Sequence, residues 1–280
     1  MVDTLTISVT PLSPAFGAEI SGVDLREDPD QRIIDQIIDA LHEHIVIVFR
    51  DQDLSEEQQL HFTSRFGEVG TRKRATGLHS DGRFMLVTNI MVDGEPLGSY
   101  GDGEMWFHSD GAYAEVPYKY SFLYGIELPS QGGNTRFANL YSAYDALPQA
   151  LKEKLAGRKV LQLGGSRRRE KGDPAADLSE IPHAWHPLLT THPTTKKKSL
   201  YFSRMHSVLI EGLDPEESEA TIDELVGYSE RPEFIYEHVW RPGDLVVWDN
   251  RCSNHARTLF PDEENRLLRR CTIMGEKPRE

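Results

Sequence analysis

Two side chains in the run Trp106-Phe107-His108-Ser109-Asp110-Gly111 are able to hold a metal ion together. His108 and Asp110 lie two residues apart, and on an extended strand residues i and i+2 point to the same face. An imidazole and a carboxylate at that spacing reach one cation without unusual backbone geometry. A third ligand must come from elsewhere. Asn254-His255-Ala256-Arg257 offers His255, after the apolar strand Leu245-Val246-Val247-Trp248 and a turn at Asp249-Asn250-Arg251. Two imidazoles and one carboxylate on one face of an octahedron form the donor set of Fe(II) oxygenases, with three positions open for cosubstrate and dioxygen. The same donors also suit a hydrolytic zinc ion. An HxD pair alone is a weak signal among 11 histidines, and a surface HxD with an unrelated histidine is the plain alternative.

The elements that must position these residues are partly legible. Ile33, Ile34, Ile37, Ile38 and Leu41 make a helical stripe over Gln31 to His44, which runs directly into the buried-strand signal Ile45 to Phe49. Ser55 with Gln58 reads as a capping box opening a helix that stops near Gly67. Strand signals follow at Phe84 to Ile90, Tyr118 to Leu128, Phe234 to Trp240, Asp244 to Trp248 and Leu267 to Met274. Ser142 and Asp145 start a helix, Pro148 suits the first turn of a second, and Asp214, Pro215 and Glu217 mark the start of a third. Residues 164–185, with Arg167-Arg168-Arg169-Glu170-Lys171-Gly172-Asp173-Pro174, form a long polar loop, either filler or a mobile lid. Strands dominate the second half, so the pattern predicts a β-sandwich with helices packed outside it.

Bulk composition excludes several classes. A chain of 280 residues makes one large domain or two small ones. Its 45 acidic and 31 basic residues give a net charge of −14, which repels phosphate backbones and argues against nucleic-acid binding. Any anion site must then be a local cluster of Arg or Lys. Cys252 and Cys271 form no CxxC pair and no disulfide framework, so they read as buried thiols in a reducing compartment. The N-terminus lacks a secretory pattern, and no run approaches the roughly 18 apolar residues that span a bilayer. The expectation is a cytoplasmic protein without a membrane partner.

A wider set of motifs resembles a family. They are Leu12 to Leu25, Phe49-Arg50-Asp51-Gln52, Arg65-Phe66-Gly67-Glu68, His108-Ser109-Asp110, Leu128 to Thr135, Thr191-His192-Pro193, Trp248-Asp249-Asn250-Arg251, His255, Arg266 and Arg270. Together they resemble the taurine and chlorophenoxyacetate dioxygenases (TauD/TfdA type), nearly end to end. The resemblance implies a mostly β fold with flanking helices, a double-stranded β-helix (jelly-roll, cupin-like) core and a single domain over residues 1–280. It implies Fe(II) held by the catalytic residues His108, Asp110 and His255, with 2-oxoglutarate and O2 as cosubstrates. Thr135 and Arg266 match the hydroxyl and guanidinium that hold the distal carboxylate of 2-oxoglutarate; a planar guanidinium clamps a carboxylate by two charge-assisted hydrogen bonds. Arg270, four residues on and on the same strand face, matches a residue that contacts the substrate's anionic group, while Arg269 points the other way, into solvent.

The chain also departs from the taurine enzymes. Gly70 stands where they carry a sulfonate-binding histidine, and Glu104-Met105-Trp106-Phe107 replaces the polar residues that receive the taurine amine. Met105, Phe107 and Tyr100 are therefore read as substrate contacts beside Arg270; Tyr113, Phe202, Arg204 and His206 are weaker candidates. The expected reaction is hydroxylation of a C–H bond in a small anionic organic molecule, with succinate and CO2 released. The substrate classes are aryloxyalkanoates or other carboxylates, sulfonates, alkyl sulfates and phosphonates. The alternatives are taurine itself, or a zinc hydrolase on the same ligands. Asp110 argues against a halogenase, which lacks that carboxylate. The resemblance further implies a homo-oligomer, dimer or tetramer.

Overall fold

The computed structural model describes residues 6–71, 82–99, 103–165, 172–173 and 175–280. Eighteen strands occur among them: β1 Ser8–Pro11, β2 Ala18–Ser21, β3 Val46–Phe49, β4 Met85–Thr88, β5 Met91–Val92, β6 Glu95–Pro96, β7 Met105–His108, β8 Tyr118–Glu127, β9 Thr135–Asn139, β10 Lys159–Leu163, β11 His183–Pro187, β12 Leu189–Thr191, β13 Lys198–Leu200, β14 Ser207–Ile210, β15 Ile235–His238, β16 Leu245–Asp249, β17 Ser253–Arg257 and β18 Leu267–Met274. The helices are α1 Gln31–His44, α2 Glu56–Ser64, α3 Leu140–Asp145, α4 Gln149–Leu155 and α5 Pro215–Ser229. A seven-stranded sheet runs β1-β2-β3-β16-β8-β18-β4, and a four-stranded sheet runs β15-β9-β17-β7. The two share one core, as in a jelly roll.

Strand alternation explains which residues meet. Val46, Val48, Leu123, Val246, Trp248 and Leu268 of the large sheet pack with Phe137 and Tyr236 of the small one. Their neighbours Ile47, Phe49, Phe122, Tyr124, Leu245, Val247, Cys271 and Ile273 turn to the opposite face, where α1 and α2 cover them with Ile34, Ile37, Leu41 and Phe62. The near-continuous apolar runs of the central strands therefore reflect burial on both faces. α1 occupies the residues its apolar stripe predicts, capped by Asp30. It joins β3 through Ile45, whose φ of 68° is rare for a β-branched residue. The Ile45 amide donates to Leu41 and its carbonyl accepts from Asp249, so both ends of this tight joint are tied.

The capping boxes at Ser55 and Asp214 form as the sequence reads. Asn139, not Ser142, caps α3, and Pro148 is the cap of α4 rather than a residue of its first turn. Asn139 was hidden because it is also the last residue of β9. Among the described residues no helix is long and apolar enough to cross a membrane.

Arg269 corrects one expectation. It does face away from Arg270, but that side of β18 is roofed by α2, and Arg269 is only 6% exposed. Its Nε donates to Gln59 Oε1 at 2.6 Å and its Nη2 to the Leu54 carbonyl at 2.8 Å, with Tyr124 and Phe84 stacked nearby. Arg269→Met leaves both acceptors unpaired and is expected to destabilise the fold by about 2–4 kcal/mol. Urea unfolding measures this; a loss within noise would return Arg269 to the solvated class.

Buried histidines set the acid limit of stability. His186 and His238 are fully buried, and burial is the main cause that lowers the pKa of each below the usual 6.5, more than offsetting the Asp244 partner of His238. The folded state therefore resists protons that the unfolded chain accepts. Stability should be level above pH 6.5 and fall as pH drops below it. A melting temperature unchanged from pH 7 to pH 5 would contradict this.

Candidate metal centre

β7 and β17 are adjacent antiparallel strands, and their register sets His108 directly opposite His255. The imidazole centroids are 4.1 Å apart. Asp110 follows the end of β7, and its Oδ2 lies 4.0 Å from His255 Nε2. One ligand atom from each of the three residues falls within 4.8 Å of the others, and all three residues are buried. The His108 Nδ1–H donates to the Trp106 carbonyl at 2.9 Å, which leaves the Nε2 lone pair free to ligate.

Burial, reinforced by His255, lowers the His108 pKa to about 3, and burial lowers that of His255 to about 4. Burial opposes ionisation of Asp110, but Arg270 and the two imidazoles outweigh it and hold the carboxyl well below the usual range. Neutral imidazoles beside an ionised carboxylate are the protonation states that bind a divalent cation.

A shell of hydrogen bonds aims Asp110. Ser121 of β8 donates to its Oδ2 at 2.6 Å, and Arg270 of β18 pairs with its Oδ1. Asn250 accepts from the Asp110 amide at 3.2 Å and donates to Ser121 Oγ at 2.9 Å, while Trp248 Nε1–H fixes the Asn250 carbonyl oxygen. Two strands thus reach the carboxylate directly, and the turn after β16 supports it through the Asp110 amide and Ser121. Ser121→Ala removes a direct bond to Asp110 and should weaken Mn(II) affinity by about 10- to 100-fold. A metal titration tests it, and unchanged affinity would count against this role for Ser121.

The three residues open onto a cavity of about 110 Å³. At another part of its wall, Arg266 is 2% exposed. Its Nε and Nη2 donate to the Gly133 carbonyl at 3.1 and 3.0 Å, and Nη1 has no partner among the described residues. Burial, then the charge of Arg257, push its pKa well below the usual range; among the described residues no carboxylate pairs with the guanidinium. Gly133 (φ 62°) is required there, because a Cβ would come within 2.9 Å of Arg266 Nε. Thr135 Oγ1 accepts from Trp240 Nε1–H at 3.0 Å, which leaves its own O–H to donate into the cavity. Glu264, two residues before Arg266, accepts from the backbone amide and hydroxyl of Ser130. Metal donors together with an orphaned guanidinium and a spare hydroxyl fit a diacid that chelates at one end.

Met105, Arg270, Tyr113 and His206 line the cavity. Phe107 does not. It alternates away from His108 and packs with Ala138 and Ala256 beneath Arg136, which corrects its reading as a substrate contact. Phe202 belongs to the core under α3 and α5, and Arg204 pairs with Glu230. Tyr100 lies outside the described residues. Sequence reasoning missed Arg257, whose Nε and Nη2 hold the Gly103 carbonyl at the approach to β7; its place two residues after His255 was the available signal. It also missed Tyr118. That ring is clamped between Gly70 and Gly111, where a Cβ would approach it to 2.7 and 2.8 Å.

A second cluster, His42, His192 and Asp249, also groups donor atoms within metal-binding distance. Its lone pairs are already committed. His192 Nδ1 accepts from the Thr194 and Thr195 amides, and its Nε2–H donates to Asp249, whose two oxygens also meet Arg251. This is a buried ion-pair network behind the Asn250 turn.

The chain is similar to known proteins along nearly its whole length. Residues 8–272 match the model of the family described as taurine catabolism dioxygenase TauD, TfdA. The chain is 31% identical over 287 residues to an alpha-ketoglutarate-dependent 2,4-dichlorophenoxyacetate dioxygenase of Cupriavidus pinatubonensis, covering 97% of this chain and 99% of the relative. It is 34% identical over 278 residues to an (S)-phenoxypropionate/alpha-ketoglutarate-dioxygenase of Sphingobium herbicidovorans, covering 96% and 95%. The crystal structure of AAD-2 in complex with Mn(II) and N-oxalylglycine superposes with a TM-score of 0.80 at 29% identity, covering 98% of this chain and all of that one.

Proposed function

The chain belongs to the taurine catabolism dioxygenase (TauD, TfdA) family, and from that premise we propose that it hydroxylates a C–H bond of a small aryloxyalkanoate or related organic anion. It is an alpha-ketoglutarate-dependent dioxygenase, an oxidoreductase that uses Fe(II), 2-oxoglutarate and O2. The observation that carries the site assignment is the convergence of His108, Asp110 and His255 on one cavity that also holds the unpaired Arg266 Nη1. Bound iron, with 2-oxoglutarate and dioxygen, supplies the oxidant and releases succinate and CO2.

His108, Asp110 and His255 would hold the metal. Arg266 and Thr135 would take the far carboxylate of 2-oxoglutarate, the guanidinium neutralising it and the hydroxyl donating to it. N-oxalylglycine, present in the AAD-2 structure, is isosteric with that diacid. Arg270 would serve two carboxylates: it already pairs with Asp110, and its guanidinium lines the cavity, where it meets the anionic group of the substrate. Met105, Met205, Leu123 and Val87 give the same cavity an apolar wall suited to an aryl or alkyl body. Gly165, at the start of the 164–185 segment read as a loop or lid, lines the cavity; residues 166–171 and 174 of that segment lie outside the described residues.

The test is a panel of aryloxyalkanoates, alkyl sulfates, sulfonates, phosphonates and taurine, assayed for succinate with Fe(II) and ascorbate. Substrate-stimulated succinate from an aryloxyalkanoate is expected, with His255→Ala silent. Oxygen-independent hydrolysis would restore the zinc reading, and stimulation by taurine alone would restore the taurine reading.

A further inference from the structure

We propose that the cleft walled by the start of β8, the turn after β12 and residues 275–280 is a second anion site, fitted to a phosphate-bearing small molecule. This cleft is separate from the metal cavity. Tyr118 lines both, and its clamped ring forms the wall between them. The cleft is the larger of the two, at about 430 Å³.

Charge is the first argument. The protein carries a net −14, yet Lys119, Lys196, Arg251, Lys277 and Arg279 line this cleft against only Glu276 and Glu280. Two of the five cations are already paired: Arg251 with Asp249 and Glu276, and Lys277 with Glu115 outside the cleft. Of the two carboxylates, Glu276 answers Arg251, and Glu280 accepts from the Gly157 amide. Lys119 and Arg279 have no side-chain hydrogen bond or ion pair among the described residues, and Lys196 Nζ meets only the Pro193 carbonyl. Three cations without a direct ion pair among the described residues therefore face one space, where the carboxylates are Glu276, shared with Arg251, and Glu280, and the cations outnumber them.

The second argument is construction. Lys119 is half-buried, held over the Tyr120 ring at 5.2 Å, and burial lowers its pKa, so the ammonium gains from an anion beside it. Lys196 sits at φ 62°, in the left-handed region that favours glycine. A non-glycine residue there costs about 1 kcal/mol. The turn that imposes this is rigid: the Lys196 amide donates to the His192 carbonyl at 3.0 Å, and His192 is locked to Asp249. The buried network found behind the metal site thus serves as the floor of the cleft. Ammonium groups are point charges that suit the tetrahedral oxygens of a phosphate, whereas planar carboxylates favour the forked guanidinium used in the metal cavity.

Calorimetric titration with inorganic phosphate tests the site, at low ionic strength and with the metal cavity filled by Mn(II) and N-oxalylglycine. Saturable one-to-one binding is expected, weakened by about tenfold or more in Lys119→Met and in Lys196→Gly. Lys196→Gly relieves the backbone conformation, so its melting temperature should not fall, and loss of binding in it is loss of charge rather than of fold. Both variants keep wild-type 2-oxoglutarate turnover, which separates this proposal from the reading of the metal site. No saturable heat, wild-type affinity in both variants, or equal binding of chloride would overturn it.

Discussion

His255→Ala is expected to abolish substrate-stimulated succinate formation, lowering the rate by about a thousandfold or more, equivalent to about 4 kcal/mol. The reason is geometric. Two strands place His255 and His108 opposite each other, and Asp110 completes the face. With one donor gone, the remaining two cannot define a face with three open positions. The fold should survive, because His255 contributes no hydrogen bond from its buried Nδ1. Mn(II) titration and circular dichroism together check this: weak metal binding in a folded variant is the expected pair of results. A folded His255→Ala that turns over at the wild-type rate would dismiss the site. Asp110→Ala is a poorer variant, since it also removes the carboxylate that pairs with the Arg270 guanidinium.

The second large effect is at Arg266. Arg266→Met should raise KM for 2-oxoglutarate by about a hundredfold, the cost of removing a buried charged partner from a carboxylate. Metal affinity should stay near wild type, because Arg266 does not touch any of the three ligands. The stability of the ligand-free protein should change by only about 1 kcal/mol. Losing the two bonds to the Gly133 carbonyl destabilises, but losing a desolvated guanidinium with an unpaired Nη1 offsets it. An arginine that were merely structural would show the opposite pattern, a large stability loss and an unchanged KM. Initial rates against 2-oxoglutarate concentration and thermal unfolding of the ligand-free variant decide between them.

Arg269 and Phe107 show how far local sequence carries. Alternation correctly set Arg269 on the face opposite Arg270, but could not say that α2 lies over that face; α2 is two hundred residues earlier in the chain. Phe107 was read as a substrate contact because Glu104-Met105-Trp106-Phe107 replaces polar residues of the taurine enzymes, yet one step along a strand reverses a side chain, and it faces Ala138 and Ala256. Arg257 obeyed the same rule that paired His108 with Asp110 and was still missed, because two residues past His255 its role depends on what stands opposite. Tyr118 had no sequence signal at all. Its place follows from Gly70, far off in the chain, and the nearer Gly111, whose missing side chains make room for one ring.

What the sequence determined by itself is everything that depends on residue type and short-range period: the α1 stripe and its join to β3, the capping boxes, the strands β8, β16 and β18, and the chemistry available to His108, Asp110, His255, Thr135 and Arg266. Those features rest on contacts within a few residues, so they are written locally. The tertiary structure decided what each arginine meets: Arg270 the Asp110 carboxylate, Arg269 the neutral Gln59 amide, and Arg266 no carboxylate among the described residues. Ion pairs and cavities arise between strands adjacent in space but far apart in the chain, and only the sheet order brings their side chains within reach of one another.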